Sequence, residues 1–343
     1  AELVDTEFVL FCPNIIISPP IWRENNFLFN VCSGRGYGHL LNRFGDRFMH
    51  RYDPEAMERD APERHHNILV SIGTMMEVIE GRGSPHGGVY LSFKHIPDNM
   101  LDEIENDPRM KEYAPDWKCQ GVDFKELWRM LNEGQAIEVG ASCHFFQGGV
   151  RINEQGETNL PGLYAAGECS GGLWGAFRNY EAITQIVVQG AIAGKSAAEF
   201  ATKTDLQEVD MKQVKMLQDR ALAPLEREDG VKPGQLMKRF QKTAYEKVGV
   251  VRSGEGLNAA LDEFEETRKL DVPRLCTSID ARQYNLEWIE AIQCENMLQM
   301  LEISTRAALM RMESRGTHYR TDCSNTDNDN WLKNIVVKQV AGK

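Results

Sequence analysis

The segment Asn159-Leu160-Pro161-Gly162-Leu163-Tyr164-Ala165-Ala166-Gly167-Glu168-Cys169-Ser170-Gly171-Gly172 constrains this chain more than any other. It passes from a turn, through a short apolar stretch, to an acidic residue and then to glycines. Leu163 to Ala166, bounded by turn residues, reads as a buried parallel strand. Gly167 lets a ligand approach the backbone without a side chain in the way. Glu168 is expected at the carboxyl end of that strand, where open α/β sheets bind ligands, and there it can accept a hydrogen bond from a ribityl or ribose hydroxyl. Gly171-Gly172 then feeds an apolar, alanine-rich helix from Tyr180 to Ala201. Its amino end, at Glu181, Ala182 and Ile183, would aim unpaired N–H groups and the positive end of the helix dipole at an electron-rich ring. This order of parts builds a flavin site.

At these residues the chain resembles the flavoprotein subunits of the succinate dehydrogenase and fumarate reductase family, which also includes aspartate oxidases. That family carries a GLYAAGE-type strand, a Gly-Ala-x-Arg turn and an alanine-rich helix, and Gly175-Ala176-Phe177-Arg178 supplies the turn here. Other stretches resemble the family in the same order. Thr6-Glu7-Phe8-Val9 followed by Pro13 is similar to its passage into the capping domain. Asn42-Arg43-Phe44-Gly45-Asp46-Arg47-Phe48, Arg51-Tyr52-Asp53-Pro54 and Gly88-Val89-Tyr90-Leu91 resemble cap segments. Glu313-Ser314-Arg315-Gly316-Thr317-His318-Tyr319-Arg320 and Asp329-Asn330-Trp331-Leu332-Lys333 resemble the carboxy-terminal segment. The resemblance implies an α/β plus all-α fold: the distal part of a Rossmann-like FAD domain, an α/β capping domain and a C-terminal helical domain, with FAD as cofactor.

A dinucleotide-binding domain begins with a strand, Gly-x-Gly-x-x-Gly and a helix, because pyrophosphate needs close backbone approach and a helix amino end. No such site is present. The nearest pattern, Cys32-Ser33-Gly34-Arg35-Gly36-Tyr37-Gly38, precedes Leu40-Leu41-Asn42-Arg43, which reads as the start of a hairpin. The expectation is therefore a divergent family member lacking its N-terminal FAD-binding portion, with that portion, absent or on another chain, as its first partner.

Composition narrows the function classes. Acidic residues outnumber basic ones 51 to 39, and the net charge of −12 argues against nucleic acid as a partner. No run reaches the roughly 18 to 20 apolar residues that span a bilayer. The eight cysteines include no C-x-x-C pair, which argues against a metal or iron–sulfur site on this chain and for reduced thiols of a cytoplasmic protein. Any iron–sulfur cluster would then belong to an electron-transfer subunit. Thr326-Asp327-Asn328-Asp329-Asn330 lacks the glycine and closing glutamate of a calcium loop and reads as a solvated turn.

Four regions are expected: 1–14 as the end of the first FAD-domain portion, 15–137 as the cap, 138–204 as the distal FAD-binding domain and 205–343 as the helical domain. The first contains a strand from Phe8 to Phe11 ending before Pro13. The cap contains a helix from His65 to Gly81 and a strand from Gly88 to Phe93. Apolar residues recur at helix spacing in Met211 to Leu222, Leu236 to Val248, Gly256 to Leu270 and the long run Ala281 to Met312.

Reducing a carbon–carbon double bond requires hydride at one carbon, a proton at the other, and cations on the activating carboxylate. The resemblance implies that Arg178, in the Gly-Ala-x-Arg turn, and His144, before Gly148-Gly149, bind the carboxylate of a small anionic substrate, while Arg64 delivers the proton. The alternative reading of the residues alone makes Arg178 a surface or interdomain salt-bridge partner and His144 a satisfied structural histidine at a half-buried strand end. Departures from the family pattern bear on the substrate. Cys12-Pro13 stands where the dicarboxylate enzymes have histidine before proline, Asn30-Val31 where they have threonine–glutamate, and Ala61-Pro62 is followed by Glu63, with Arg64 one place later. Glu181 falls near their asparagine; it faces the flavin's pyrimidine edge, disfavouring the anionic reduced form, or turns to solvent. These readings give an FAD-dependent oxidoreductase acting on a C–C bond beside an anionic group, with a substrate other than fumarate. The alternative is a non-catalytic flavoprotein-like scaffold subunit of an electron-transfer complex.

Overall fold

The computed structural model describes residues 1–20, 38–53, 67–95, 130, 133, 137–177 and 182–340. Its strands are β1 (Leu3–Val4), β2 (Val9–Ser18), β3 (His39–Leu41), β4 (Val89–Ser92), β5 (Ile137–Phe146), β6 (Gly149–Arg151), β7 (Ser170–Gly171), β8 (Val251–Arg252), β9 (Tyr319–Arg320) and β10 (Val336–Val337). Its α-helices are α1 (Asn67–Ile79), α2 (Ala182–Ala201), α3 (Met211–Glu226), α4 (Pro233–Thr243), α5 (Gly254–Leu270), α6 (Leu286–Met310) and α7 (Asn328–Trp331). The chain divides into two compact units, Leu10–His144 and Ala1–Val9 with Phe145–Lys343. The changes of unit fall within β2 and β5, a few residues away from the boundaries at 14 and 137 read from the sequence.

In the Leu10–His144 unit the sheet order is β2-β5-β4-β3. Antiparallel pairing sets Val89 opposite Val139 and Leu91 opposite Ile137, and all four side chains are buried. Gly88 is required just before β4, since a Cβ there would lie 2.2 Å from the Val139 carbonyl oxygen. The strand expected to stop before Pro13 continues through it to Ser18. The cause is position: among the described residues β2 lies at the edge of its sheet, where a proline without N–H is tolerated. The hairpin reading after Gly38 holds, with β3 leading into a turn in which the Asn42 side chain accepts from Phe44 and Asp46 N–H groups at 2.9 and 3.0 Å.

Helix α1 buries Val70, Thr74 and Glu77, a spacing that places them on one face. Glu77 is fully buried and accepts from Asn42, Arg51, Tyr52 and Arg82 at 2.7 to 3.2 Å. Burial alone would raise its pKa, but these four partners hold it down to about 2. The same carboxylate, together with burial, pushes the Tyr52 hydroxyl upward. His39 and His95 stack with ring centroids 3.4 Å apart, and burial, His95 and Arg47 bring the His39 pKa down to about 4.

In the other unit the sheet order is β10-β1-β6-β7, antiparallel except for the β6–β7 pair, where Val150 lies opposite Ser170 and Arg151 opposite Gly171. The helical region packs by helix-period stripes. Leu236 and Phe240 of α4, Leu257, Ala260 and Phe264 of α5, and Ala291, Cys294 and Leu298 of α6 share one core, with Phe240 and Phe264 edge to face at 6.5 Å. The run expected to be helical from Ala281 begins instead at Leu286. Tyr284 takes a φ of 55°, and Asn285 caps the helix by accepting from the Trp288 N–H. The Thr326–Asn330 tail includes the start of α7, capped by the Asp327 side chain, rather than only a solvated turn.

Candidate functional site: the glycine loop and its helix

The glycine loop lies in the Ala1–Val9 and Phe145–Lys343 unit. The sequence reading placed a buried parallel strand at Leu163 to Ala166, and the structure corrects it. Thr158 N–H donates to the Leu163 carbonyl and Ala165 N–H to the Gly156 carbonyl, so this stretch folds back antiparallel on 156–158, with Leu163 exposed. The turns that impose this are Gly156 and Gly162, at φ of 75° and 81°. The parallel strand comes later, as β7 against β6. Between them, Gly167–Cys169 forms one 3₁₀ turn.

The glycines divide into two kinds. Gly171, Gly149 and Gly148 are needed because backbones cross there: an added Cβ would come within 2.4 Å of Gly149 N, 2.4 Å of Cys169 O and 2.1 Å of Asp5 O respectively. Gly172 and Gly175, at φ of 90° and 58°, serve the path of the loop: an added Cβ at Gly172 would stand in ordinary contact with Val4 Cγ1 at 3.5 Å, and one at Gly175 would meet no described residue within 4 Å. The loop borders an open cleft of about 320 Å³ lined by Gly171, Gly172, Leu173, Gln189 and Ile192 together with residues 152–154 and 156.

Glu168 is exposed on the 3₁₀ turn, and its Oε1 accepts from the Phe146 N–H at 3.0 Å. One oxygen is thus held by the backbone, and no side chain of another described residue donates to its Oε2. Helix α2 begins at Ala182, with Ala182 half-buried and Ile183 78% exposed. Ile186 and Val187 are at least half exposed as well, so the apolar helix leaves a broad face uncovered. His144 is exposed on β5 in the other unit. Arg178, Glu181 and Arg64, and likewise Asn30, Val31 and Glu63, lie outside the described residues.

Two residues that sequence reasoning passed over organise the loop. Gln189 Oε1 accepts from Gly167 N–H at 2.9 Å and from Gln185 Nε2 at 3.1 Å, while Ser170 Oγ, whose proton goes to the Gly167 carbonyl at 2.7 Å, lies 3.0 Å from it. Gln185 Nε2 reaches the Gly167 carbonyl at 3.3 Å, and its Oε1 accepts from Trp174 Nε1. The signal in the sequence was a pair of glutamines spaced i, i+4 in an otherwise apolar helix, which puts both on one face.

The loop geometry fits FAD on two counts: exposed Glu168 offers its second carboxylate oxygen as an acceptor for a hydroxyl, and Gly175 leaves backbone open to close approach among the described residues. Residues 1–180 match the FAD binding domain family, and residues 237–343 match the family described as fumarate reductase flavoprotein C-term. The chain is 33% identical to a fumarate reductase (CoM/CoB) subunit of Methanothermobacter marburgensis, over 99% of its own length and 57% of the relative's. It is 32% identical to an uncharacterized FAD-dependent oxidoreductase of Methanocaldococcus jannaschii, over 98% and 57%. The solved structure of Mycobacterium smegmatis Sdh1 in complex with UQ1 superposes with a TM-score of 0.77 at 31% identity, covering 95% of this chain and 51% of that one.

The chain belongs to the FAD-binding flavoprotein family of fumarate reductase and succinate dehydrogenase subunits. Members of this family are FAD-dependent oxidoreductases. The chain spans about half the length of the curated relatives it matches, 57% for the two named here. Among the described residues, no helix is long and apolar enough to cross a membrane, and no cluster of His, Cys, Asp and Glu is arranged to hold a metal.

Proposed function

We propose that this chain is part of an FAD-dependent oxidoreductase that acts on a carbon–carbon double or single bond beside an anionic group, on a substrate other than fumarate. The observation that carries the cofactor half is the exposed Glu168 carboxylate, held on one oxygen by Phe146 N–H, at the foot of the glycine loop. Glu168 accepts a flavin-chain hydroxyl, Gly167, Gly171 and Gly172 bring backbone to the ring, and the α2 amino end at Glu181, Ala182 and Ile183 faces its electron-rich edge. FAD supplies the hydride chemistry when bound. Arg178 holds the substrate anion by a bidentate, charge-assisted contact. His144 orients it, and Arg64 or a substitute handles the proton.

The substrate half rests on buried Cys12 before Pro13, with Asn30 and Glu63, at positions where the dicarboxylate enzymes are expected to keep polar groups for fumarate. A second reading, fumarate itself, is favoured by the similarity to the Methanothermobacter fumarate reductase subunit. The uncovered apolar face of α2 supports a further FAD-binding portion or chain as a partner. This reading takes as a second partner an electron-transfer chain carrying iron–sulfur clusters, in a cytoplasmic assembly. The four-region division at 14, 137 and 204 is retained as the working domain scheme.

Purification with native partners, followed by an absorption spectrum and mass analysis of the bound cofactor, tests the reading. Bound FAD, with turnover abolished but flavin retained in Arg178→Ala, supports it. Retained turnover in that variant within a few-fold places the anion site elsewhere.

A further inference from the structure

Gly167 sits at a point where the backbone leaves one pairing and has not begun the next. Its N–H and C=O lie between the antiparallel fold-back at 156–165 and the parallel strand β7, so neither sheet ladder serves them. A buried backbone group left unpaired loses its water partner without a replacement and destabilises the fold. The N–H is served from helix α2 by Gln189, whereas the carbonyl closes the 3₁₀ turn by accepting the Ser170 N–H and also receives the Ser170 hydroxyl at 2.7 Å and, from α2, Gln185 Nε2 at 3.3 Å. The amide orientations follow from the donors. Gln189 Oε1 must face Gly167 N–H, so Gln185 Nε2 must face Gln189, which turns Gln185 Oε1 toward the Trp174 indole N–H. One carboxamide pair thus joins three segments of the loop: the turn bearing Glu168, the start of β7, and Trp174 just before Gly175-Ala176.

We propose that Gln189, backed by Gln185, is a positioning residue for the flavin: the pair locks the Gly167–Ser170 turn and Trp174 to helix α2, and so fixes where Glu168 and the following loop meet the ring. This rests on the reading of the loop as the flavin site. The chemistry required of the clamp is an acceptor at position 189 and a combined donor and acceptor at 185. Leucine at 189 keeps the volume and removes the acceptor. Glutamate keeps the acceptor.

The test compares the FAD-loaded wild-type protein with Gln189→Leu, Gln189→Glu and Ser170→Ala. Amide hydrogen exchange over residues 163–172, the FAD dissociation constant and the flavin midpoint potential are measured where circular dichroism shows every variant folded. Gln189→Leu is expected to speed exchange in 163–172, weaken FAD about tenfold and shift the midpoint potential. Gln189→Glu is expected to restore slow exchange and FAD affinity, and Ser170→Ala to give a smaller loss of both. If FAD protects 163–172 in the wild type while Gln189→Leu leaves affinity and potential unchanged, the positioning role is wrong. If FAD binds the wild type without protecting 163–172, the loop is not the flavin loop and the proposal falls with that assignment.

Discussion

Arg311 Nε donates to Glu7 Oε1 at 2.8 Å, although 304 positions separate the two residues, and neither side chain is more than 1% exposed. Arg311 also donates to Glu313 at 2.9 Å and to the Trp331 and Lys333 carbonyls at 3.1 and 2.9 Å, and it lies 4.8 Å over the Phe8 ring. Burial raises the Glu7 pKa against the pull of Arg311, while Glu313 stays below its ordinary value through Arg315, the Asp327 N–H and Arg311 despite burial. Removing one partner of such a network leaves uncompensated buried charge. Arg311→Met is expected to destabilise the Ala1–Val9 and Phe145–Lys343 unit by about 3–5 kcal/mol, read by denaturant melts. A loss below about 1 kcal/mol would show that the network is replaceable.

Glu77 predicts acid behaviour in the other unit. Its folded pKa of about 2 lies below the ordinary 4.5, so its stabilisation is present in full above about pH 4.5 and is lost as pH falls through 2. That window corresponds to roughly 3 kcal/mol. In Glu77→Gln the unit should be weaker at neutral pH and its stability should vary less between pH 5 and 2. An unchanged acid limb would mean that other carboxylates dominate it.

The two kinds of glycine should respond differently to alanine. At Gly171 the new Cβ meets backbone at 2.4 and 2.8 Å on two sides, which no side-chain rotation relieves. Overpacking of this sort costs about 1–3 kcal/mol or more. At Gly175 no described residue lies within 4 Å of an added Cβ, and the φ of 58° is penalised by about 1–2 kcal/mol. Thermal melts should show the larger loss in Gly171→Ala, and the reverse order would contradict the backbone-crossing account.

Helix α2 supplies a prediction about assembly. Ile183 is 78% exposed and Val187 64%, so Ile183→Gln and Val187→Gln should change the stability of this chain by less than about 0.5 kcal/mol. If a further FAD-binding portion covers this face, the double variant should lose FAD and associate less with that partner in co-purification. Full FAD retention would show that the face stays open.

The helical region was legible because one residue period decided it: Leu236, Phe240, Leu257 and Phe264 repeat at helix spacing and all are buried. What the sequence concealed lay where backbone geometry, rather than side-chain pattern, decides. Leu163 to Ala166 has the composition of a buried strand, yet positive-φ glycines at 156 and 162 fold it back and leave Leu163 exposed. Pro13 looked like a stop because an edge position cannot be seen in one segment alone. Gln185 and Gln189 were hidden because each has a backbone group of Gly167 among its partners, and such a group carries no sequence signal.

The most direct measurement of the central claim is steady-state oxidation of a reduced viologen by the assembled, FAD-loaded protein, with fumarate compared against other α,β-unsaturated carboxylates. Losing one charge-assisted hydrogen bond to the dicarboxylate costs about 1.5–3 kcal/mol, and a missing proton donor a further factor of roughly 10² to 10⁴ in rate. The account predicts negligible fumarate turnover, weak malonate inhibition, and turnover of another unsaturated carboxylate that disappears in Arg178→Ala. Brisk fumarate reduction with tight malonate inhibition would contradict it and would show that Arg64 and its neighbours replace the groups absent at Cys12, Asn30 and Glu63.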